Sequence, residues 1–356
     1  MHAGGPAFTI SENVHMQKPN QRIGVINSLR AFAALAVAWG HFVAGQGRYL
    51  SLSGKYGYLG VHIFFVISGF VIPWSLYRVH YVLRDYPRFL LKRNVRLYPP
   101  YLASIAVTIL ATNFVMAPRF HLPRVEVSGQ SLLFHFLYLN DLVHLPWVNT
   151  AYWTLAIEFQ WYVLIGLMFP LLATRSRLAR FAGTAAMMAA YFMVGHNRLI
   201  FHSIPIFLIG VFVFQYRVSL IGVREMLALI AVTVFAMRGP IGWIVAGVSV
   251  ATAMLVAFAN IQHRRMDRVG DVTYSLYLLH LPIGVTAIGI LSHWLPYSGS
   301  YMIVIDVAGV LISGFAAWIM YQAIEKPSQE MSSAIRFLHP KRESATPTAI
   351  AAPAVD

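Results

Sequence analysis

The chain has 356 residues, of which 58% are hydrophobic and 11% are charged. Soluble domains carry about a quarter charged residues, so this composition excludes an ordinary soluble domain and is typical of a polytopic membrane protein. The formal net charge is +14, but the basic residues stand in short clusters between apolar runs, which argues against nucleic-acid binding. The chain contains no cysteine, which excludes disulfides and thiolate metal sites.

Ten apolar runs of about 17–24 residues follow one another, each long enough to cross about 30 Å of hydrocarbon as a helix. With the N-terminus in the cytoplasm, 20 of the 27 Lys and Arg residues fall on that side and 6 on the other, and Arg30 is counted within a span. Arg180, Arg224 and Arg238, at the ends of predicted spans, are counted with the adjoining segments. This bias follows the positive-inside rule. The sequence therefore predicts an all-α polytopic membrane protein with about ten transmembrane helices and both termini cytoplasmic. The predicted spans are 27–46, 57–77, 98–117, 151–173, 180–196, 200–216, 221–238, 241–260, 271–292 and 300–323.

The remaining segments define the predicted domain organisation. Residues 1–26 form a polar cytoplasmic tail without the pattern of a cleaved signal peptide, and 27–326 form the membrane domain. Residues 327–356 form a cytoplasmic tail whose end has the composition of a disordered segment. The outer segment 118–150 holds a short apolar piece at 131–140, which we expect to lie at the interface or to fold back into the bundle.

The first span, "SLRAFAALAVAWGHF", carries Arg30 near its inner end and His41 near its outer end. Eleven residues at about 100° each put both side chains on one helix face, about 16 Å apart along the axis. Ionisable residues inside a span are costly and by default mark a functional site. The alternative is that Arg30 reaches the interface and His41 is a hydrogen-bonded packing residue.

The fourth span carries Glu158 in "YWTLAIEFQWY", at nearly the same predicted depth as His41. We therefore expect the carboxylate and the imidazole to meet, which would hold the imidazole tautomer; an unrelated polar contact is the alternative. Asp306 and His280 lie near this layer, and each is either a site residue or a structural contact. His62, shallow in the second span, is interpreted as a packing residue.

The inner segment "RFLLKRNVRLYPPY" places four cations within residues 88–96. Arg93 and Arg96 are three residues apart and share a helix face. Two guanidinium groups on one face suit a phosphate-rich ligand. The alternative is that these charges only orient the chain and attract anionic lipid.

Six sequence blocks follow one another along the chain: the first-span stretch with Arg30 and His41, "GVHIFFVISGFVI" at 60–72, "RNVRLYP" at 93–99, "WTLAIEFQWY" at 153–162, "YSLYLLHLPI" at 274–283 and "IEKP" at 324–327. In sequence and in order they resemble the blocks of the membrane-bound acyltransferase type 3 family. One departure is His62, where the family commonly has an acidic residue.

The resemblance implies transfer of an acyl group, expected to be acetyl, from cytoplasmic acyl-CoA to a sugar hydroxyl of an exopolysaccharide, O-antigen or other cell-surface glycan. It implies His41 as general base and Glu158 as the group that orients it. We expect Arg30, Arg93 and Arg96 to bind the CoA phosphates, and Trp153, His280 and Asp306 to bind substrate.

The expected partners are acyl-CoA as donor substrate, a glycan or lipid-linked sugar as acceptor, and membrane lipid. No permanently bound cofactor and no metal is expected. The predicted location is the cell inner membrane. Two alternatives stay open: the same chemistry on a lipid or macrolide acceptor, and a transporter or flippase that uses the buried ionisable residues for binding or proton coupling.

Overall fold

The computed structural model describes residues 24–43, 52–120, 128–194, 199–237, 242–259, 269–296 and 298–338. Within these ranges the chain is helical and contains no strand. The helices are α1 (Gly24–Val43), α2 (Leu59–Arg78), α3 (Tyr86–Leu110), α4 (Gly129–Leu137), α5 (Tyr152–Leu172), α6 (Arg177–Val194), α7 (Ile204–Arg217), α8 (Val223–Met237), α9 (Trp243–Phe258), α10 (Thr273–Trp294) and α11 (Ser300–Ala334).

Seven helical segments of the described chain are long and apolar enough to cross a membrane, which makes this a multi-pass membrane protein. They are Gly24–Val43, Leu52–Arg78, Leu83–Met116, Tyr152–Leu172, Ile200–Arg217, Thr273–Trp294 and Ser300–Ala334. The other three predicted spans coincide with α6, α8 and α9, which have 18, 15 and 16 residues. The all-helical class is confirmed, whereas the count of ten and the side of the termini stay predictions.

Helix α3 begins well before the span predicted at 98–117. Pro87 lies in its first turn, where a missing N–H costs nothing because the first amides of a helix have no intrahelical acceptor. The helix therefore starts at Tyr86 and includes the cationic cluster. A run of charges ends a hydrophobic segment but does not interrupt helical hydrogen bonding.

Three π turns interrupt the long helices, at Ala111–Met116, His280–Val285 and Tyr321–Glu325. Each contains a proline or precedes one by two residues, namely Pro118, Pro282 and Pro327. Proline cannot donate an i→i−4 hydrogen bond and crowds the preceding turn, so the helix widens locally. Such turns rotate the side chains that follow and are frequent at functional sites.

Helices α2 and α7 pack with their backbones in close approach. A Cβ added at Gly69 would overlap the carbonyl oxygen of Phe207, and one at Gly210 would overlap that of Val66. Small residues at helix crossings are a common packing device in membrane proteins. Helix α7 is buried continuously from Ile204 to Gln215 and is therefore the centre of the bundle.

The described part of the segment between α3 and α5, residues 128–150, is joined to α3 by hydrogen bonds. His135 of α4 is fully buried, and its Nδ1 lies 2.8 Å from the carbonyl oxygen of Ser131. Its Nε2 accepts a hydrogen bond from the Val148 amide at 2.9 Å. Tyr101 of α3 donates to the His135 carbonyl oxygen at 3.1 Å. Leu132, Leu133, Phe136 and Leu137 of the same helix are exposed, so both placements expected for this segment stay predictions.

The C-terminal end of α11 is attached to the start of α3. Ser332 Oγ donates to the Lys92 carbonyl oxygen at 2.8 Å, and Lys92 Nζ donates to that of Ile335 at 3.0 Å. The Leu338 amide donates to Asp85 Oδ1 at 2.8 Å. The helix thus continues past the predicted boundary at 326. The predicted tail 1–26 and the predicted disordered end, from about residue 337, lie mostly outside the described residues.

Candidate active site

Helices α1, α2, α3, α5, α10 and α11 surround a cavity of about 370 Å³. Its basic end is lined by Asn27, Arg30, Arg78, Arg93, Arg96, Asp271 and Glu325. Its neutral end is lined by Val61, Phe64, Phe65, Thr154, Leu155 and Tyr277. Along α2, Phe64 and Arg78 are separated by about 21 Å, so the cavity is elongated and differs chemically from one end to the other.

The three arginines predicted to bind phosphate meet at the basic end. Arg93 is oriented on three sides: its Nη2 donates to Ser75 Oγ at 3.0 Å, and its guanidinium carbon lies 5.5 Å from the ring centroids of Phe89 and Tyr162. Arg30 and Arg96 line the same space. Their proximity carries an electrostatic cost, which a polyanionic ligand would offset.

Glu158 lies on the cavity wall beside this basic end. Its Oε1 accepts hydrogen bonds from Ser68 Oγ at 3.0 Å and from the Tyr162 hydroxyl at 2.6 Å. Because Tyr162 also lies against Arg93, the carboxylate, the phenol and the guanidinium form one connected group. Glu158 thus orients the hydroxyl groups of Ser68 and Tyr162, and its negative charge partly offsets that of the arginines lining the cavity.

A second acid, Glu325, reaches the cavity through the π turn of α11. It is 2% exposed. Its Oε2 accepts from the amide of Ser275 at 3.2 Å and from the Ser275 hydroxyl at 2.5 Å, and its Oε1 accepts from Gln329 Nε2 at 3.0 Å. These bonds join the "IEKP" block to the "YSLYLLHLPI" block and hold a second carboxylate beside the arginines.

A closing layer, formed by Phe64, Thr154 and Tyr277, ends the cavity at its neutral end. The Tyr277 hydroxyl and Thr154 Oγ1 are 2.6 Å apart. Both hydroxyls also lie within hydrogen-bond distance of the Ala151 carbonyl oxygen, Thr154 Oγ1 at 2.8 Å and the Tyr277 hydroxyl at 3.3 Å, so either can be the donor between them. The rings of Phe64 and Tyr277 meet edge to face at 5.9 Å.

A pair of histidines lies behind the closing layer. The ring centroid of His280 is 5.6 Å from that of Tyr277 and 5.2 Å from that of His41. His280 is fully buried, and its Nδ1 lies 2.7 Å from the Tyr277 carbonyl oxygen. Its Nε2 has no hydrogen-bond partner among the described residues. His41 is exposed at the end of α1.

The expected pair of His41 and Glu158 does not form, because the closing layer separates them. Glu158 lies one turn from Thr154 on the cavity side, about 6 Å along α5. His41 contacts His280, which lies almost one turn beyond Tyr277 on the other side. The predicted depths are counted from the ends of two spans, which assumes that the two helices have equal tilt and equal span limits.

The other predicted residues are distributed around this site. Trp153 is 40% exposed at the start of α5, and Asp306 is fully buried on α11. His62 contacts the rings of Tyr58 and Phe65, as expected of a packing residue. The roles assigned to Trp153, Asp306 and His280 in substrate binding stay predictions.

Sequence reasoning assigned no role to several residues of the cavity. Most of them stand inside the quoted sequence blocks. On α5 the spacing alone could have indicated them, because Thr154, Glu158 and Tyr162 are four residues apart and so share one helix face. The missed residues are Ser68, Arg78, Thr154, Tyr162, Ser275, Tyr277 and Glu325.

A multi-pass helical bundle with a basic cavity and a histidine pair beyond its neutral end defines a membrane protein suited to bind an anionic ligand. The profile of the acyltransferase type 3 family, described as an acyltransferase domain, matches residues 23–322. The chain therefore belongs to this family.

Curated relatives are similar at low identity. O-acetyltransferase OatA of Staphylococcus aureus strain MRSA252 is 25% identical over 90% of this chain, which spans 59% of that relative's length. Nodulation protein 10 of Rhizobium leguminosarum bv. viciae is 23% identical, and the match covers 86% of this chain and 93% of that relative's length. A putative acetyltransferase of Acidianus two-tailed virus is 29% identical, and the match covers 48% of this chain and 47% of that relative's length. No solved structure matches the chain.

Proposed function

We propose that this protein is an integral membrane O-acyltransferase of the cell inner membrane. It transfers an acyl group, expected to be acetyl, from acyl-CoA on the cytoplasmic side to a hydroxyl of a cell-surface glycan sugar. One observation carries the proposal: an elongated cavity has Arg30, Arg93 and Arg96 at one end and reaches, at the other, Tyr277, whose ring lies against that of His280, the neighbour of His41.

The two ends of the cavity match the two parts of CoA. Its phosphates are polyanionic and suit guanidinium groups, which bind phosphate through paired N–H donors. Its neutral pantetheine arm suits the apolar lining. With the phosphates at the basic end, the thioester points toward the closing layer of Phe64, Thr154 and Tyr277.

His41 would act as the general base. Its imidazole takes the proton of the acceptor hydroxyl, and the hydroxyl oxygen attacks the thioester carbonyl carbon. The new C–O bond forms as the C–S bond breaks, and the CoA thiolate takes the proton back from the imidazolium. Glu158 acts on the donor side, where it holds Ser68 and Tyr162, rather than on His41.

The acceptor is proposed to arrive from the side opposite to CoA. His41 is exposed at the end of α1, whereas the arginines lie at the other end of the cavity. A sugar cannot cross lipid unaided, so a lipid-linked or exported glycan is the natural acceptor on the outer side. The similarity to O-acetyltransferase OatA of Staphylococcus aureus supports acetyl as the acyl group.

The test uses purified protein in proteoliposomes together with a gene-deletion strain. Release of free CoA thiol from acetyl-CoA, dependent on added surface glycan, is expected from the intact protein and not from the His41→Ala variant. Mass spectrometry of surface glycans from the deletion strain should show a lost acetyl mass. Absence of thiol release would refute the enzyme, and an unchanged glycan would refute the acceptor.

A further inference from the structure

We infer that His280 is a positioning residue for His41: its Nε2 accepts a hydrogen bond from the His41 imidazole and so fixes the tautomer and the orientation of the proposed base. The inference rests on the proposed function, because it concerns the same base. It gives His280 a role other than the substrate binding expected from the sequence, and it provides the partner that Glu158 was expected to be.

The tautomer of His280 follows from its hydrogen bond. Its Nδ1 lies 2.7 Å from the carbonyl oxygen of Tyr277, three residues earlier in the chain. A carbonyl oxygen can only accept, so Nδ1 carries the hydrogen, and in the neutral ring Nε2 carries a lone pair. The ring is fully buried, where a second proton would create a charge without water around it. His280 therefore presents one hydrogen-bond acceptor at Nε2.

That acceptor is unused. No group of the described residues donates to His280 Nε2, and a buried polar atom without a partner is rare in folded proteins. Among the described residues, the rings against His280 are those of His41, Phe42 and Tyr277. Phe42 has no donor, and the Tyr277 hydroxyl is already hydrogen-bonded on the cavity side. Of these three rings, His41 is the one that can donate to Nε2.

His41 is placed to donate. Its ring centroid lies 5.2 Å from that of His280, and the two ring planes are inclined at 40°. At this separation, two imidazole nitrogens that face each other are within hydrogen-bond distance. His41 is exposed at the end of α1, so its ring has room to rotate, whereas His280 is fixed by burial and by its Nδ1 bond. A rotation of the His41 ring therefore satisfies the unused acceptor.

The pairing would prepare His41 for proton transfer. With one nitrogen donating to His280, the other nitrogen of the neutral ring must carry the lone pair that takes the proton of the acceptor hydroxyl. When His41 becomes an imidazolium, its hydrogen bond to Nε2 becomes charge-assisted and therefore stronger. The base is thus stabilised at the step in which the charge appears.

The experiment compares two amide replacements, His280→Asn and His280→Gln, in the full-length protein. The amide of Asn can take the place of Nδ1 and keep the bond to the Tyr277 carbonyl oxygen, but it does not reach the position of Nε2. The amide of Gln reaches that position and offers an oxygen acceptor. The two variants therefore separate the structural hydrogen bond from the acceptor that faces His41.

We expect kcat for acetyl transfer to fall by about 10- to 100-fold in His280→Asn, which is the effect of losing a hydrogen bond to a charged group. The kcat of His280→Gln should be largely restored. The KM for acetyl-CoA should stay unchanged in both variants, because the arginines lie at the other end of the cavity. A purely structural role would predict the opposite order, since Asn preserves the structural bond better than Gln.

A second measurement does not depend on turnover. Nitrogen NMR of protein containing isotope-labelled histidine distinguishes a ring N–H from a nitrogen with a lone pair, and the His41 signals are those missing from the spectrum of His41→Ala. At alkaline pH, where the rings are neutral, we expect one tautomer of His41 in the unmodified protein and a mixture of both in His280→Asn.

A mixture of tautomers for His41 in the unmodified protein would overturn the inference, because a ring without a fixed partner exchanges between them. Full kcat in folded His280→Asn would also overturn it, as would an equal loss of kcat in both variants. These results would leave the proposed function intact. Failure of the unmodified protein to transfer acetyl would instead refute the proposed function, and the NMR measurement would still test the histidine pair.

Discussion

The ring centroids of His41 and His280 lie 5.2 Å apart, on the far side of Tyr277 from the arginine-lined cavity. Helix α1 carries both His41 and Arg30, so one helix joins the histidine pair to the basic end of the cavity. The spacing of eleven residues, about 16 Å along the axis, is thus the distance between the two halves of the proposed reaction.

Replacing His41 with alanine should reduce acetyl transfer by about 10²- to 10⁴-fold, the usual contribution of a general base. CoA binding, measured by calorimetry in detergent, should be retained because His41 does not line the cavity. His293→Ala is the matched control, since His293 is an exposed histidine at the end of α10. Near-normal turnover of His41→Ala would contradict the assignment.

Replacing Arg96 with alanine should weaken CoA binding by about 10- to 100-fold, as expected for loss of a hydrogen bond to a charged group. Raising the salt concentration should weaken binding by the unmodified protein, because phosphate contacts open to solvent are screened. Arg84→Ala, at an exposed arginine outside the cavity, is the control. If both variants bound CoA with equal affinity, Arg96 would have no role in CoA binding and would only help to orient the chain in the membrane.

The Gly210→Ala variant should be less stable to heat than the unmodified protein by about 1–3 kcal/mol, the usual cost of overpacking. The added Cβ would overlap the carbonyl oxygen of Val66 and push α7 from α2. Gly247→Ala, in the interior of α9 with open space around the Cβ position, should be neutral or stabilising. Tryptophan fluorescence during heating measures both. Equal melting temperatures would show that α2 and α7 tolerate separation.

Stability should fall as the pH drops below about 6.5, partly through His135. Burial lowers the pKa of His135 below its ordinary value, because a charged imidazole is poorly solvated there. Its Nε2 must also stay unprotonated to accept from the Val148 amide. As the pH falls, the His135 imidazole therefore binds a proton near pH 6.5 in the unfolded chain but only at lower pH in the folded chain. The stabilising contribution is complete above pH 6.5 and decreases toward the folded pKa.

The check is the melting temperature from pH 5 to 8 for the unmodified protein and for His135→Gln. The variant should be less stable at pH 8, and the gap between the two curves should narrow toward pH 5, because only the unmodified protein loses this contribution. Parallel curves would show that His135 does not titrate differently in the folded state.

The sequence alone determined the fold class and one half of the site. Runs of about 20 apolar residues can satisfy their backbone in lipid only as helices, so the all-helical, multi-pass class followed from composition and spacing. The grouping of Arg93 and Arg96 followed from a separation of three residues within one helix. Such local features depend on helix geometry, which is the same wherever the helix packs.

Only the tertiary structure decided which side chains from different helices meet. His41 contacts His280 rather than Glu158, and Glu325 is held by Ser275 fifty residues earlier in the chain. These contacts depend on helix tilt, on the close approach of α2 and α7, and on π turns that rotate the side chains beyond a proline. None of these is encoded in hydrophobic periodicity, because a helix keeps its apolar faces under many rotations and depths in a bundle that is apolar on all sides.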